Sequence, residues 1–192
     1  TMTGIPKSIL PEICDSAMIY GYTDPHGYFG TKIPISGSVV DQQAALFGQT
    51  CYSPGSVKTT YGTGCFMMMN TGYEPVYSEN GLLTTVAWKL GRKMTFALDG
   101  GIYIAGAAVQ WLRDKLQIIT EFNETETMAL ASDSNGGVFF VPAFAGLAAP
   151  YWDQYARGMI IGLTGSTTKE QIVRATLESV AYQVKDCLDA MN

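Results

Sequence analysis

The sequence predicts an α/β domain in which a mixed sheet is flanked by helices. Three observations lead there. Between Ser56 and Gly100, β-branched and aromatic runs alternate with short glycine turns, the mark of adjacent strands. Around Ala108 and again after Lys169, apolar residues recur every three or four positions, the period of an amphipathic helix. With 192 residues, 47% hydrophobic and 15% charged, the chain can bury one core but lacks the charge of a disordered tail or coiled coil.

The first third is loop-rich. Pro6, Pro11, Gly21, Pro25, Gly27, Gly30, Pro34 and Gly37 allow only turns and short strands. A helix can begin near Asp41, where DQQAALFGQ places good helix formers before Gly48 and Pro54. SVKTTYGTGCFMMMNTG then reads as two β-rich runs around a Gly-Thr-Gly turn. GLLTTVAWKL follows, then a Gly91–Arg92 turn, then KMTFALDG, so the whole reads as an antiparallel meander. Met67, Met68 and Met69 are strand core in this reading.

A second helix is expected near Ala105. Ala108, Leu112 and Leu116 form its apolar stripe, Val109 lies beside it, and Trp111 and Arg113–Asp114 lie off it. The acidic ETETMALASDSNGG is expected to be a short surface helix and loop, and GVFFVPAF a buried strand. Thr167-x-x-Glu170 reads as a capping box. The helix after it presents Val173, Leu177, Val180, Val184, Leu188 and Met191 on one face.

Charge and cysteine usage narrow the function classes. A formal net charge of −5 with 12 Lys+Arg argues against nucleic-acid binding, which needs a basic face. The most apolar stretch, Val138–Pro150, is too short to span a bilayer, and the N-terminus lacks the order of a signal peptide. Cys14, Cys51, Cys65 and Cys187 form no C-x-x-C pair, and with one histidine in the chain no metal site is expected. Scattered thiols point to a reducing, cytoplasmic setting, with each cysteine acting as a small buried hydrophobe.

Four segments hold candidate chemistry. In TYGTGCF, Gly62 and Gly64 flank Thr63. Such glycines let backbone N–H groups approach a phosphate, although a plain hairpin gives the same pattern. Asp41 either caps the helix after it or serves as a general base toward a substrate hydroxyl, with Gln42 holding a second hydroxyl. AGAAVQ, from Ala105 to Gln110, offers either a flat approach at a helix N-terminus or close packing against the sheet. Trp152 and Asp153 either cap a pocket or anchor a loop, and His26 reads as a solvated loop residue.

Taken in order, GTKIPISG, DQQAALFGQ, KTTYGTGCF with NTG, ALDGGIYIAGAAVQWLRD and GVFFVPAFAGLAAPYWDQYARGMIIGLT, followed by TTKEQIVRATLESVAYQVKDCLDAM, resemble the FGGY family of carbohydrate kinases. The resemblance runs from about Gly4 to Met191. Its C-terminal signature is met by Gly158, Ile160, Gly162, Leu163, Gln171, Ile172, Ala175, Thr176, Leu177 and Glu178. DQQAALFGQ and GAAVQWLRD resemble the glycerol-phosphorylating members most.

That resemblance implies two ribonuclease H-like domains of the actin and hexokinase ATPase type, closing on a cleft. It implies transfer of the γ-phosphoryl group of Mg-ATP to glycerol, making sn-glycerol 3-phosphate. Asp41 takes the position of the base, Gln42 a glycerol-binding position, and Phe66 one that packs on the glycerol carbons. Gly62 and Thr63 match the turn holding the nucleotide phosphates, and Gly106 and Gln110 match nucleotide contacts. Lys32 falls where some bacterial members carry an arginine that helps bind a phosphorylated sugar inhibitor. The preceding loop DPHGYFG differs from the glycine-and-lysine loop of those members, and Val40 stands where the family usually has glycine.

Residues 1–50 are then expected to be the end of the first, substrate-side domain. Residues 51–192 would be most of the second, nucleotide-side domain, without its last strand and helix. Both termini read as cut, so the fold is expected to be incomplete and the 192 residues inactive by themselves. Two alternatives stand: another FGGY kinase acting on xylulose, ribulose, gluconate or erythritol, and an actin-like nucleotide-binding module without catalysis. The oligomeric state is left open, a homo-oligomer included.

Overall fold

In the computed structural model, the structure describes residues 4–192. Its centre is a four-stranded antiparallel sheet of β3 (Val57–Tyr61), β4 (Cys65–Gly72), β5 (Leu83–Leu90) and β6 (Lys93–Ile102), in the order β3-β4-β6-β5. All four expected strands are present, but they are not a meander. The tight turns at 62–64 and 91–92 make hairpins, whereas the connection 73–82 is long enough to carry the chain past one strand position. β6 therefore inserts between β4 and β5.

Strand alternation gives the sheet two different faces. On one, Cys65, Met67, Leu98 and Ile102 form a core with Cys187 and Met191 of α4 (Lys169–Met191). On the other, Met68, Ala97, Ala87 and Trp88 receive Leu46 of α1 (Asp41–Gly48), which is fully buried. Lys58, Thr60 and Asp99 share this second face by register, since Lys58 pairs with Met68 and Met68 with Asp99.

The remaining elements pack around this sheet. β1 (Ala17–Tyr22) and β2 (Pro34–Gly37) make a separate antiparallel pair. It is tied to β5 by Ser16 N–H to the Lys89 carbonyl at 3.0 Å and by an Asp15–Lys89 ion pair. α2 (Gly106–Asp114) and α3 (Glu124–Leu130) follow the sheet, then β7 (Phe139–Val141) pairs with β8 (Met159–Ile161). Gly162, at φ +87°, closes that pair, because a Cβ there would stand 2.0 Å from the Gly137 carbonyl oxygen.

Several local expectations shift. α2 ends at Asp114, so Leu116 lies beyond it and is exposed, while Trp111 is drawn inward to stack on Phe140 at 5.5 Å. The capping box of α4 is Thr168–Gln171, one residue later than expected, because the Thr167 hydroxyl is used by the Thr164 N–H at 2.9 Å. Leu188 faces outward and Cys187 takes its place in the apolar stripe. Cys51, Cys65 and Cys187 are buried and Cys14 half-buried, all as free thiols. Among the described residues, no helix is long and apolar enough to cross a membrane, and no cluster of His, Cys, Asp and Glu could hold a metal ion.

Candidate functional site

The sequence-predicted residues fall into two groups joined by the β3–β4 hairpin. The first lies where α1 meets the sheet. Asp41 opens α1 and is exposed, but it caps nothing. Val40 occupies the N-cap, without a side-chain hydrogen bond to the helix. Removing the capping role leaves the carboxylate available, and its position in the first helical turn suits a negative charge. Its neighbour Gln42 donates Nε2–H to Asp41 Oδ2 at 3.2 Å.

Beneath this pair sits Lys58, 4% exposed. Its ammonium donates to Gln42 Oε1, to Thr60 Oγ1 at 3.0 Å and to the Phe66 carbonyl at 3.4 Å. Phe66 lies directly across the hairpin from Thr60 and is 44% exposed. Burial pushes the Lys58 ammonium below its ordinary range, while Asp99 and then Asp41 oppose that shift. The Asp99 carboxyl is pushed up by burial and pulled back by Lys58. This cluster is an open carboxylate, an amide, an exposed aromatic ring and a buried cation shared among them.

The second group is the hairpin tip and the start of α2. Gly62 and Thr63 form an exposed turn. The Ala105 and Ala107 N–H groups donate to the Thr63 carbonyl at 2.9 and 3.0 Å, and the Gly106 N–H to the Gly62 carbonyl at 2.9 Å. The donors at the start of α2 are therefore spent on the turn rather than open to a ligand, which corrects the expectation of a free helix N-terminus. Gly106 is required for packing, since a Cβ would lie 2.6 Å from the Gly62 carbonyl oxygen. Among the described residues, the Thr63 N–H and hydroxyl have no intrachain partner. They are the open donors of this tip. Gln110 is exposed one helical turn beyond Gly106, beside Asp114.

Lys32 stands apart. It is exposed in the loop joining β1 to β2, and none of the site's hydrogen bonds involves it. Trp152 and Asp153 anchor a loop: the indole N–H donates to the Gly81 carbonyl at 2.5 Å, and Asp153 Oδ1 accepts from the Tyr155 and Ala156 N–H groups. His26 is exposed, its N–H bonded to Asp24.

Sequence reasoning missed Lys58, Thr60 and Asp99. The available signal was a lysine inside a β-branched run, two residues before Thr60 and so on the same strand face. A lysine there is buried only if acceptors converge on it, and one of them, Gln42 Oε1, comes from α1, sixteen residues upstream.

Comparison with known proteins is consistent with this geometry. Residues 57–192 match the FGGY family of carbohydrate kinases, C-terminal domain. The chain is 57% identical over 190 residues to glycerol kinase 2 of Thermotoga maritima, covering 99% of this chain and 38% of that protein. It is 59% identical over 187 residues to glycerol kinase of Natranaerobius thermophilus, covering 97% of this chain and 38% of that protein. A crystal structure of Plasmodium falciparum glycerol kinase with ADP superposes with TM-score 0.87 at 40% identity, over 95% of this chain and 37% of that one. A xylulose kinase from Rhodospirillum rubrum, 23% identical, shares the fold with TM-score 0.77 over 98% of this chain and 39% of that one. This chain thus spans about 38% of the length of its curated relatives. With residues 57–192 matched and the sheet, hairpin tip and α4 in place, the chain belongs to the FGGY family of carbohydrate kinases.

Proposed function

We propose that this chain carries the base and the nucleotide-side phosphate turn of an ATP-dependent kinase that phosphorylates glycerol to sn-glycerol 3-phosphate. The observation that carries the reading is the pairing of Asp41 and Gln42 on one hairpin face, with Phe66 beside them and the open Thr63 donors at the tip of the same hairpin.

In this reading, Asp41 accepts the proton of the terminal glycerol hydroxyl as its oxygen attacks the γ-phosphorus. The new O–P bond forms as the bond from the γ-phosphorus to the bridging oxygen breaks, and ADP leaves. Gln42 holds a neighbouring hydroxyl, and the exposed Phe66 ring packs on the carbon chain. The Thr63 N–H and hydroxyl, with Gly62 allowing close approach, hold nucleotide phosphate. Gly106 and Gln110 line the nucleotide path along α2. Mg²⁺ arrives with ATP and neutralises phosphate charge. Such transfer rests on positioning and electrostatics, so few side chains need do the chemistry.

Residues 1–50 are assigned to the end of the substrate-side domain and 51–192 to the nucleotide-side domain. Lys32 corresponds to a regulatory position of some members, but the DPHGYFG loop before it departs from theirs, which argues against control by a sugar phosphate here. Glycerol and Mg-ATP then act on a polypeptide that supplies the remaining share of the relatives' length, and the 192 residues alone do not turn over.

A coupled ADP-release assay tests the reading. The kinase carrying this chain should turn over glycerol in preference to xylulose, ribulose, gluconate and erythritol. Asp41→Asn should lower kcat by about 100-fold or more. Turnover retained in that variant would return Asp41 to a merely structural place in α1.

A further inference from the structure

We propose that Lys58 is a positioning residue that locks the side-chain amide of Gln42, and through it aims the Asp41 carboxylate. The inference deepens the kinase reading and rests on it.

A buried ammonium has three N–H bonds to satisfy, and it is costly to bury unless each finds an acceptor. Here the acceptors are Gln42 Oε1, Thr60 Oγ1 and the Phe66 carbonyl. Only the oxygen end of the Gln42 amide can face an ammonium, because its NH₂ end is a donor. The NH₂ end is therefore turned outward, and there it meets Asp41 Oδ2 at 3.2 Å. Asp41 is otherwise unrestrained: it makes no cap, stands exposed, and belongs to the first turn of a short helix. A relay from a rigid strand through an amide of fixed polarity gives the carboxylate a set direction. It uses one oxygen and leaves Oδ1 open for a proton.

The charges around Lys58 fit the same role. Asp41 faces it from α1 and Asp99 from β6, so the cation lies between an exposed and a half-buried carboxylate. A compact ammonium can reach three acceptors on two strands and a helix, which the planar fork of an arginine cannot reproduce. Phe66 is drawn in through its backbone, so one side chain sets the spacing between the base and the aromatic wall.

A double-mutant cycle in the kinase carrying this chain tests the relay. Lys58→Met alone should lower kcat about tenfold with little change in the KM for ATP. In a Gln42→Ala background the same change should cost less than about twofold, because its route to Asp41 is gone. Equal losses in both backgrounds would overturn the proposal, since a lysine with a purely structural role acts independently of Gln42. Gln42→Glu serves as a second variant. It keeps an acceptor for Lys58, so it should fold, yet it turns a carboxylate on Asp41 and should also lose at least tenfold in kcat; full turnover there would refute the relay.

A second readout needs no turnover. In spectra of the kinase carrying this chain, labelled with ¹⁵N at glutamine side chains, Lys58→Met should move the Gln42 side-chain NH₂ resonances more than those of Gln43 or Gln49. An unmoved Gln42 amide would overturn the contact itself. Absence of glycerol turnover in the unmodified kinase, with the Gln42 amide still responsive to Lys58, would instead refute the functional reading.

Discussion

Gly106→Ala is the perturbation whose consequence is most fully set by the structure. A Cβ at position 106 would stand 2.6 Å from the Gly62 carbonyl oxygen, about 0.8 Å inside the 3.4 Å at which ordinary contact begins. The obstacle is backbone on the far side and helix on the near side, so neither can yield by a rotamer change. Relief requires α2 to back away from the hairpin tip. That stretches the three bonds to the Gly62 and Thr63 carbonyls, now at 2.9 to 3.0 Å. Overpacking of this kind costs about 1–3 kcal/mol, and the three weakened bonds together about 2 kcal/mol more. The helix preference for alanine over glycine returns about 1 kcal/mol, leaving a net loss of about 2–4 kcal/mol. For a chain of this size that is a fall in Tm of roughly 5–15 °C. Thermal and urea unfolding of the chain measure it. Gly165→Ala is the control, because a Cβ there meets nothing within 4 Å. If the Gly62–Thr63 turn holds nucleotide phosphate as proposed, the kinase carrying this variant should also bind ADP at least tenfold more weakly by calorimetry, since that turn loses its support. An unchanged Tm in Gly106→Ala would show that the tip and α2 are not in register as described, and would refute the reasoning.

Leu46→Ala removes the fully buried contact that seats α1 on the sheet, and urea unfolding should show a loss of about 2–5 kcal/mol. Thr168→Ala takes away one side of the capping box and should cost about 1 kcal/mol by the same measurement, whereas Thr167→Ala should cost less. Burial pushes the Cys187 thiol from 9.0 up to about 11, so native Cys187 stays protonated where an unfolded thiol ionises. Its contribution to stability is complete below pH 9 and is lost as pH rises toward 11. Iodoacetamide at pH 9 should therefore alkylate half-buried Cys14 well before Cys187, read by mass spectrometry.

The strands were legible because each run was bounded by glycine, and those that became β3 and β5 are rich in β-branched residues. Their order was not. Tight turns announce which strands pair, but the connection 73–82 is too long to do so, and it is the pairing of β6 with both β4 and β5 that shows β6 is central. Helix positions were legible from period, while helix ends were not. Thr167 and Thr168 are chemically equivalent as caps, and the choice is made by Thr164, whose N–H captures the Thr167 hydroxyl. Leu116 failed for a similar reason: an apolar residue in phase with a stripe stays on it only as long as the helix continues, and α2 stops at Asp114.

The candidate site divides along the same line. Asp41, Gln42 and the Gly62–Thr63 turn could be named from local pattern, because each is marked by a helix start or a glycine pair, whereas Phe66 was named only through the family resemblance. Lys58 could not, since a strand of Val57, Lys58, Thr59 and Thr60 offers two faces, and nothing local says which is covered. The covering element is α1, and it chooses the lysine face because Leu46 finds Met68, Ala97 and Trp88 there. That choice has a chemical result. Had α1 packed on the opposite face, its amides would have met Cys65 and Met67, and Asp41 would have had no cation within reach. Burial of one leucine thus decides that a helix carrying a carboxylate lands over an ammonium. The same hairpin then carries that fixed geometry to its open tip, where Thr63 presents its unpaired donors to solvent. The buried end of the hairpin supplies rigidity and the exposed end supplies access, the two features on which the proposed phosphoryl transfer would draw.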